Sequence, residues 1–267
     1  MRAALLVVLA AAMLAGGYLG GRAVSSGDEP SAVTRTVPVT STVTETPTVT
    51  ATQTETETAT ETQAPPPPAP RPAITQDPIP YTTARRGEMA AYALRHYGVA
   101  TSRLTHPRLV VLHFTASSSY PGVHAAFAND TPNNGELPGT CAHFVVDKDG
   151  TIYQQAPLDL MCRHAIGVND RSIGIEMVQE TGPSSSWADQ QILARPAQIH
   201  SVLALTAWLC SRYGIPVHDV IGHSMVNDSP FFRDNEGWRN DHTDWQPADV
   251  APSWLPPCVS ADFAAPR

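Results

Sequence analysis

The chain has 267 residues, enough for one large domain or two small ones, with 17 Lys and Arg against 25 Asp and Glu, a net charge of −8 and a pI near 5.6. That balance excludes a binder of duplex nucleic acid, which draws its affinity from a basic face that neutralises phosphates. Hydrophobic residues at 42% can fill a core, while only 16% charged residues beside 25 prolines indicate that part of the chain is not globular.

In chain order, residues 3–19 (AALLVVLAAAMLAGGYL) form one uncharged apolar run behind Arg2, and residues 1–25 read as an export signal or an N-terminal membrane anchor. Residues 26–79 are a Thr/Glu tract leading into polyproline, with almost no large apolar side chains. Nothing there offsets the entropy of ordering, so a disordered linker is expected, stiff and extended over Pro65–Pro72. Residues 80–267 are expected to fold as one domain on the outer side of the membrane, either secreted or tethered through residues 3–19.

Within that domain the pattern predicts a helix over Ala84–Tyr97 stopped by Gly98, a buried strand over Leu109–Phe114, and a short helix from Val123 to Ala128. His143–Val146 and Thr151–Gln155 read as a hairpin around the turn DKDG, and Ser172–Val178 as a further strand. Pro196 opens a long helix that ends near Tyr213 with Gly214 as its cap, and Val217–Gly222 leads into the last structured loop. Strands interleaved with helices around one hairpin predict an α/β fold with a central mixed sheet flanked by helices.

All four cysteines, Cys141, Cys162, Cys210 and Cys258, lie in this domain, and in an exported chain an even number points to disulfides. Of the three possible pairings, the local one across the hairpin joins Cys141 to Cys162 and leaves Cys210 to tie down Cys258. No C-x-x-C spacing supports a four-cysteine metal site.

With ten histidines in the chain, single ones carry little weight, and His96, His106, His124, His200 and His218 read as ordinary surface or packed residues. Histidines at strand ends are different, because sheets present those side chains to clefts. His113 closes an apolar strand, His223 follows VIG, and a polar loop runs from Asn240 to Trp245. Two imidazoles and a carboxylate from separate loops suit a three-ligand Zn2+ site with an open fourth position. Glu176 lies in the apolar strand SIGIEMV, opposite in alternation to Ile173, Ile175 and Met177. Desolvation there would raise its pKa towards the range of a general base; an edge or solvent-facing position is the competing reading.

Five segments in one order carry a resemblance: HFTAS at His113, AHFVVDKDGTIYQQAP, RHAIG at Arg163–Gly167, NDRSIGIE ending at Glu176, and VIGHS at His223. Together they resemble the amidase-2, or peptidoglycan recognition protein, domain of the zinc N-acetylmuramoyl-L-alanine amidases, over about Leu109 to Trp245. The resemblance implies a peptidoglycan partner and Zn2+ held by His113, His223 and Asp244, with Glu176 activating the water. It places His242 where the family's lysine stabilises the oxyanion, with His242 in place of Asp244 as the alternative ligand. It places His143, His164 and Asn169 along the substrate cleft: His164 as a substrate contact or a support behind the ligands, His143 as that or a packed residue, and Asn169 as fixing the loop ahead of the strand. Trp245-Gln246-Pro247 departs from the family's usual Pro-Gly after the aspartate. The insertion following Ser224 carries Phe231, Phe232 and Trp238, which either wall the groove or pack on the body. The expected reaction is cleavage of the amide between N-acetylmuramic acid and L-alanine. The rival readings are a peptidoglycan-binding module without catalysis and a zinc peptidase acting on cross-links.

Overall fold

The computed structural model describes residues 67–247. The expectations for residues 1–25, for most of the linker and for Cys258 lie outside the described residues. Six strands form one sheet: β1 (Thr75–Gln76), β2 (Leu109–Phe114), β3 (Phe144–Val146), β4 (Ile152–Gln154), β5 (Ser172–Met177) and β6 (Val220–Gly222). Their order is β1-β4-β3-β5-β2-β6, with β3 and β4 antiparallel and every other neighbouring pair parallel. The helices are α1 (Thr83–Tyr97), α2 (Tyr120–Ala128), α3 (Ser185–Leu193) and α4 (Pro196–Tyr213). This is the mixed sheet with flanking helices that the pattern predicts.

The central strands β2 and β5 are covered on both faces, which is why LVVLHF and SIGIEM read as nearly continuous apolar runs. Val110 and Leu112 of β2, with Ile173, Ile175 and Met177 of β5, enter one cluster with Val202, Leu205 and Leu209 of α4. Leu109 and Val111 point the other way, into a cluster with Ala165, Val168, Ile221 and Val226. By alternation His113 shares this second face, and the β2–β5 register sets it opposite Glu176. Both side chains thus stand at the carboxyl ends of adjacent parallel strands on the face away from α4, where open α/β sheets bind ligands.

Local chemistry explains the helix ends. Thr82 accepts the Arg85 N–H at 3.2 Å to cap α1, and Gly98 closes it in the left-handed conformation. Pro196 at the start and left-handed Gly214 after the end delimit α4 as read from the sequence.

Three features depart from expectation. Thr75–Gln76 pairs with the outer edge of β4, and Ile79 is buried after its N–H bonds to the Gln155 carbonyl at 2.9 Å, so the folded body starts before residue 80. A two-residue edge strand is held by backbone bonds to a distant partner and leaves no side-chain pattern to read. Helix α3 arises in TGPSSSWADQ, a stretch to which the sequence pattern assigns no element; Ser184 caps it by accepting the Trp187 N–H at 3.1 Å. A 3-10 turn, His223–Asp228, opens the last structured loop after β6, where the sequence pattern assigns no helical element.

Cys141 and Cys162 form the expected disulfide. Cys210 is buried in α4 and has no disulfide partner among the described residues.

Candidate metal and catalytic site

His113 leaves β2 and His223 leaves β6 side by side, because β2 pairs with β6 as well as with β5. Asp244 arrives from the loop that follows the insertion. The Nδ1 atoms of the two histidines lie 3.0 Å apart, and Asp244 approaches them at 3.8 and 3.4 Å. All three residues are buried, and their donor atoms fall within 4.8 Å of one another. Two neutral nitrogens and a carboxylate at this spacing form a donor set suited to a metal ion.

The Asp244 loop is pinned from two sides. Ser224, the neighbour of His223, donates its N–H to the Asp244 carbonyl and its hydroxyl to the Trp245 carbonyl, both at 3.0 Å. The buried Asp189 of α3 accepts the Trp245 N–H at 3.1 Å, and Ser185 meets Thr243 at 2.7 Å. Trp245 is itself buried with φ of 55°, so the departure from Pro-Gly is accommodated by a packed, left-handed tryptophan.

Glu176 faces the same cluster. Its Oε2 is shut off from solvent without a hydrogen-bond partner. Burial first, and the Asp244 charge second, push its carboxyl up to about 8. Glu176 is half-buried as a residue, and its one desolvated, orphaned oxygen beside the donor cage fits a catalytic acid/base. Burial, together with the neighbouring His223, His164 and His242, holds the His113 imidazole well below the usual histidine range.

His242 stacks on His223, with ring centroids 4.1 Å apart and planes 17° from parallel, and its side chain is 60% exposed. Its Nδ1 lies 3.8 Å from Asp244, at the rim of the cage. Burial and the His223 ring lower its pKa.

Of the residues placed along the cleft, His143 and Asn169 are buried and bonded internally, while His164 is half-buried. His143 is fully buried; its Nδ1 accepts the Gly174 N–H at 3.1 Å and its Nε2–H donates to the Leu160 carbonyl at 2.9 Å, so neither nitrogen is left for substrate. Asn169, also buried, accepts the N–H groups of His164 and Ala165 at 2.9 and 2.8 Å and donates to the Tyr97 hydroxyl at 2.9 Å. His164 is half-buried, and its ring nitrogens meet His113 Nε2 at 3.0 Å and Ser172 Oγ at 3.1 Å. Its ring lies flat on Gly174, where a Cβ would come within 2.7 Å of it. The sequence could not separate contact with substrate from internal bonding, because an imidazole or an amide serves both and only its neighbours decide.

One residue of the site has no signal in its local pattern. Asn240 accepts from His223 Nε2 at 3.0 Å and is bound in turn to the Ile166 backbone. Of the insertion aromatics, Phe231 and Phe232 pack against the cluster around Val111, and Trp238 meets the buried His96 ring edge-on at 5.0 Å. All three support the body of the domain.

Among solved structures the chain is similar to the endolysin N-acetylmuramoyl-L-alanine amidase LysCS from Clostridium intestinale URNW. Identity is 24% over 60% of this chain and 87% of that one, with a TM-score of 0.41. It is also similar to the Ph2119 endolysin of Thermus scotoductus bacteriophage Ph2119, at 22% identity over 56% and 83% and a TM-score of 0.36. A third likeness is to Apis mellifera PGRP-SA, at 21% identity over 46% and 75% and a TM-score of 0.36. No curated protein sequence gives a significant match. Residues 103–246, more than half of the chain, match the amidase-2 family, described as N-acetylmuramoyl-L-alanine amidase. The chain therefore belongs to that family of peptidoglycan amide hydrolases.

Proposed function

We propose that the chain hydrolyses the amide between N-acetylmuramic acid and L-alanine in peptidoglycan, using Zn2+ held by His113, His223 and Asp244. The observation that carries this reading is the convergence of those three donors within 4.8 Å beside the orphaned carboxyl of Glu176. Two imidazoles and one carboxylate match the borderline-soft preference of zinc and leave a coordination position free. When bound, the ion supplies Lewis-acid polarisation of a carbonyl and acidifies water.

The residues do the rest. Glu176 takes a proton from the attacking water and returns it to the leaving amine nitrogen, the carboxyl oscillating between its two states within a desolvated wall. His242, at the rim, donates a hydrogen bond to the negative charge that develops on the carbonyl oxygen. Asp244 both closes the donor set and keeps a negative charge near Glu176. An exported protein, secreted or tethered through residues 3–19, is in keeping with the Cys141–Cys162 disulfide and with a cell-wall substrate.

The test is digestion of purified peptidoglycan by the full chain and by Glu176→Gln, with metal content measured on both. The expected result is about one zinc per chain in each, peptides beginning with L-alanine from the wild type, and a turnover lowered by roughly 10²–10⁴-fold in the variant. Cleaved cross-links would indicate a peptidase, bound but intact wall a recognition module, and full activity in Glu176→Gln would overturn the proton-transfer role.

A further inference from the structure

We propose that one loop, His164–Asn169, fixes which nitrogen carries the proton on both histidines of the metal cage, with His164 and Asn240 as positioning residues; this rests on His113 and His223 being metal ligands. A histidine that ligates through Nδ1 must carry its proton on Nε2, and a fixed acceptor at Nε2 holds that tautomer.

The first arm runs through His164. Ser172 Oγ donates its single hydrogen to the Val168 carbonyl at 2.7 Å, so its oxygen is left to accept from His164 Nε2–H at 3.1 Å. No carboxylate pairs with His164 among the described residues, and a neutral ring with its hydrogen on Nε2 has a bare Nδ1. That bare nitrogen stands 3.0 Å from His113 Nε2, which must then be the donor. The proton of His113 is thereby held on the side away from the cage, leaving Nδ1 as a lone pair.

The second arm runs through Asn240. Its Nδ2 donates to the Ile166 carbonyl at 2.9 Å and to Asn227 Oδ1 at 3.3 Å, while its Oδ1 accepts the Ile166 N–H at 3.0 Å. The paired bonds to one backbone unit forbid a flip of the amide, so it is the oxygen that meets His223 Nε2 at 3.0 Å. His223 Nε2 is therefore the donor, and His223 Nδ1 is bare as well. Two lone pairs then face each other across 3.0 Å with Asp244 beside them, a repulsion that a bound metal cation relieves. Both arms start on the loop whose conformation Asn169 locks by accepting two of its N–H groups. Asn240 comes from the far end of the insertion, which thus completes the cage.

The experiment uses the full chain freed of metal. Nitrogen-15 spectra of the histidine rings should show His113 and His223 as neutral Nε2–H tautomers, and zinc affinity is read by competition with a chromogenic chelator. Ser172→Ala and Asn240→Leu should each weaken zinc binding about 10–100-fold, whereas Asn240→Asp, which keeps the acceptor oxygen, should restore most of it. Failure of the wild type to bind zinc would overturn the metal-site reading itself. Zinc bound equally by wild type, Ser172→Ala and Asn240→Leu would overturn the relay alone. If circular dichroism shows a variant unfolded, the wild-type spectrum decides: an Nδ1–H signal on either ring sinks the proposal.

Discussion

At the scale of single residues, Glu176 sets stability against chemistry. Its carboxyl sits at about 8 in the fold against an ordinary value near 4.5. Between those values the folded state binds more protons than the unfolded one. Its contribution to stability is full below about pH 4.5 and is lost as pH rises towards 8. Glu176→Gln should therefore make the metal-free protein more resistant to urea at pH 8 than the wild type, even as activity falls; equal or lower resistance would contradict the desolvated placement. His143 works in the opposite sense. Burial lowers it from 6.5 to about 4, so its stabilisation is full above pH 6.5 and drains as pH falls towards 4, by at most roughly 3 kcal/mol. In His143→Asn the loss of stability between pH 7 and pH 4.5 should shrink, measured by urea midpoints at both values. An unchanged loss would assign the acid sensitivity to other groups.

At the scale of elements, close approaches fix the site. A Cβ on Gly222 would lie 1.6 Å from the Trp245 carbonyl oxygen, so the last residue of β6 must lack a side chain for the Asp244 loop to close over it. Gly222→Ala is expected to weaken zinc binding and to lower the melting temperature together; retention of both would show that the loop can shift without cost. The segment ahead of α1 is an element of the fold as well. Arg71 lies over the Trp208 ring at 5.4 Å, the Ala69 N–H bonds to Ser211, and Thr75–Gln76 covers the edge of β4. A chain truncated at Pro80 loses the buried Ile79 and bares a strand edge, which should cost about 2 kcal/mol or more and promote association. Thermal melts and light scattering compared with a chain starting at residue 67 check this, and equal behaviour of the two would mean that the segment is dispensable.

For the whole molecule, the disulfide bridges a sequence separation of 21 residues, between the start of the hairpin region and the loop that leads to His164. A closed loop of that size is worth about 3 kcal/mol in the chain-entropy account. The pair of substitutions Cys141→Ala and Cys162→Ala should lower stability by that order while leaving the cage residues unchanged, so zinc affinity should survive where the protein remains folded. Loss of zinc binding in a folded double variant would show that the bridge also shapes the site.

The strands LVVLHF and SIGIEM, helix α4 with its proline and glycine ends, and the disulfide partners were legible in the residues alone. Each rests on apolar pattern or on turn chemistry carried within a few positions. The same holds for His113, Glu176 and His223, because a polar side chain breaking an apolar strand or following one is visible locally. What the tertiary structure alone decided depends on partners far along the chain. Asn240 meets Ile166 across 74 residues, β1 meets β4 across 78, and Asp189 catches the Trp245 N–H across 56. The internal bonding of His143 and His164 belongs with these. A hydrogen-bonding side chain serves a ligand, water or the backbone with equal chemistry, so its use is determined by which groups the sheet register and loop closure bring within 3 Å of it.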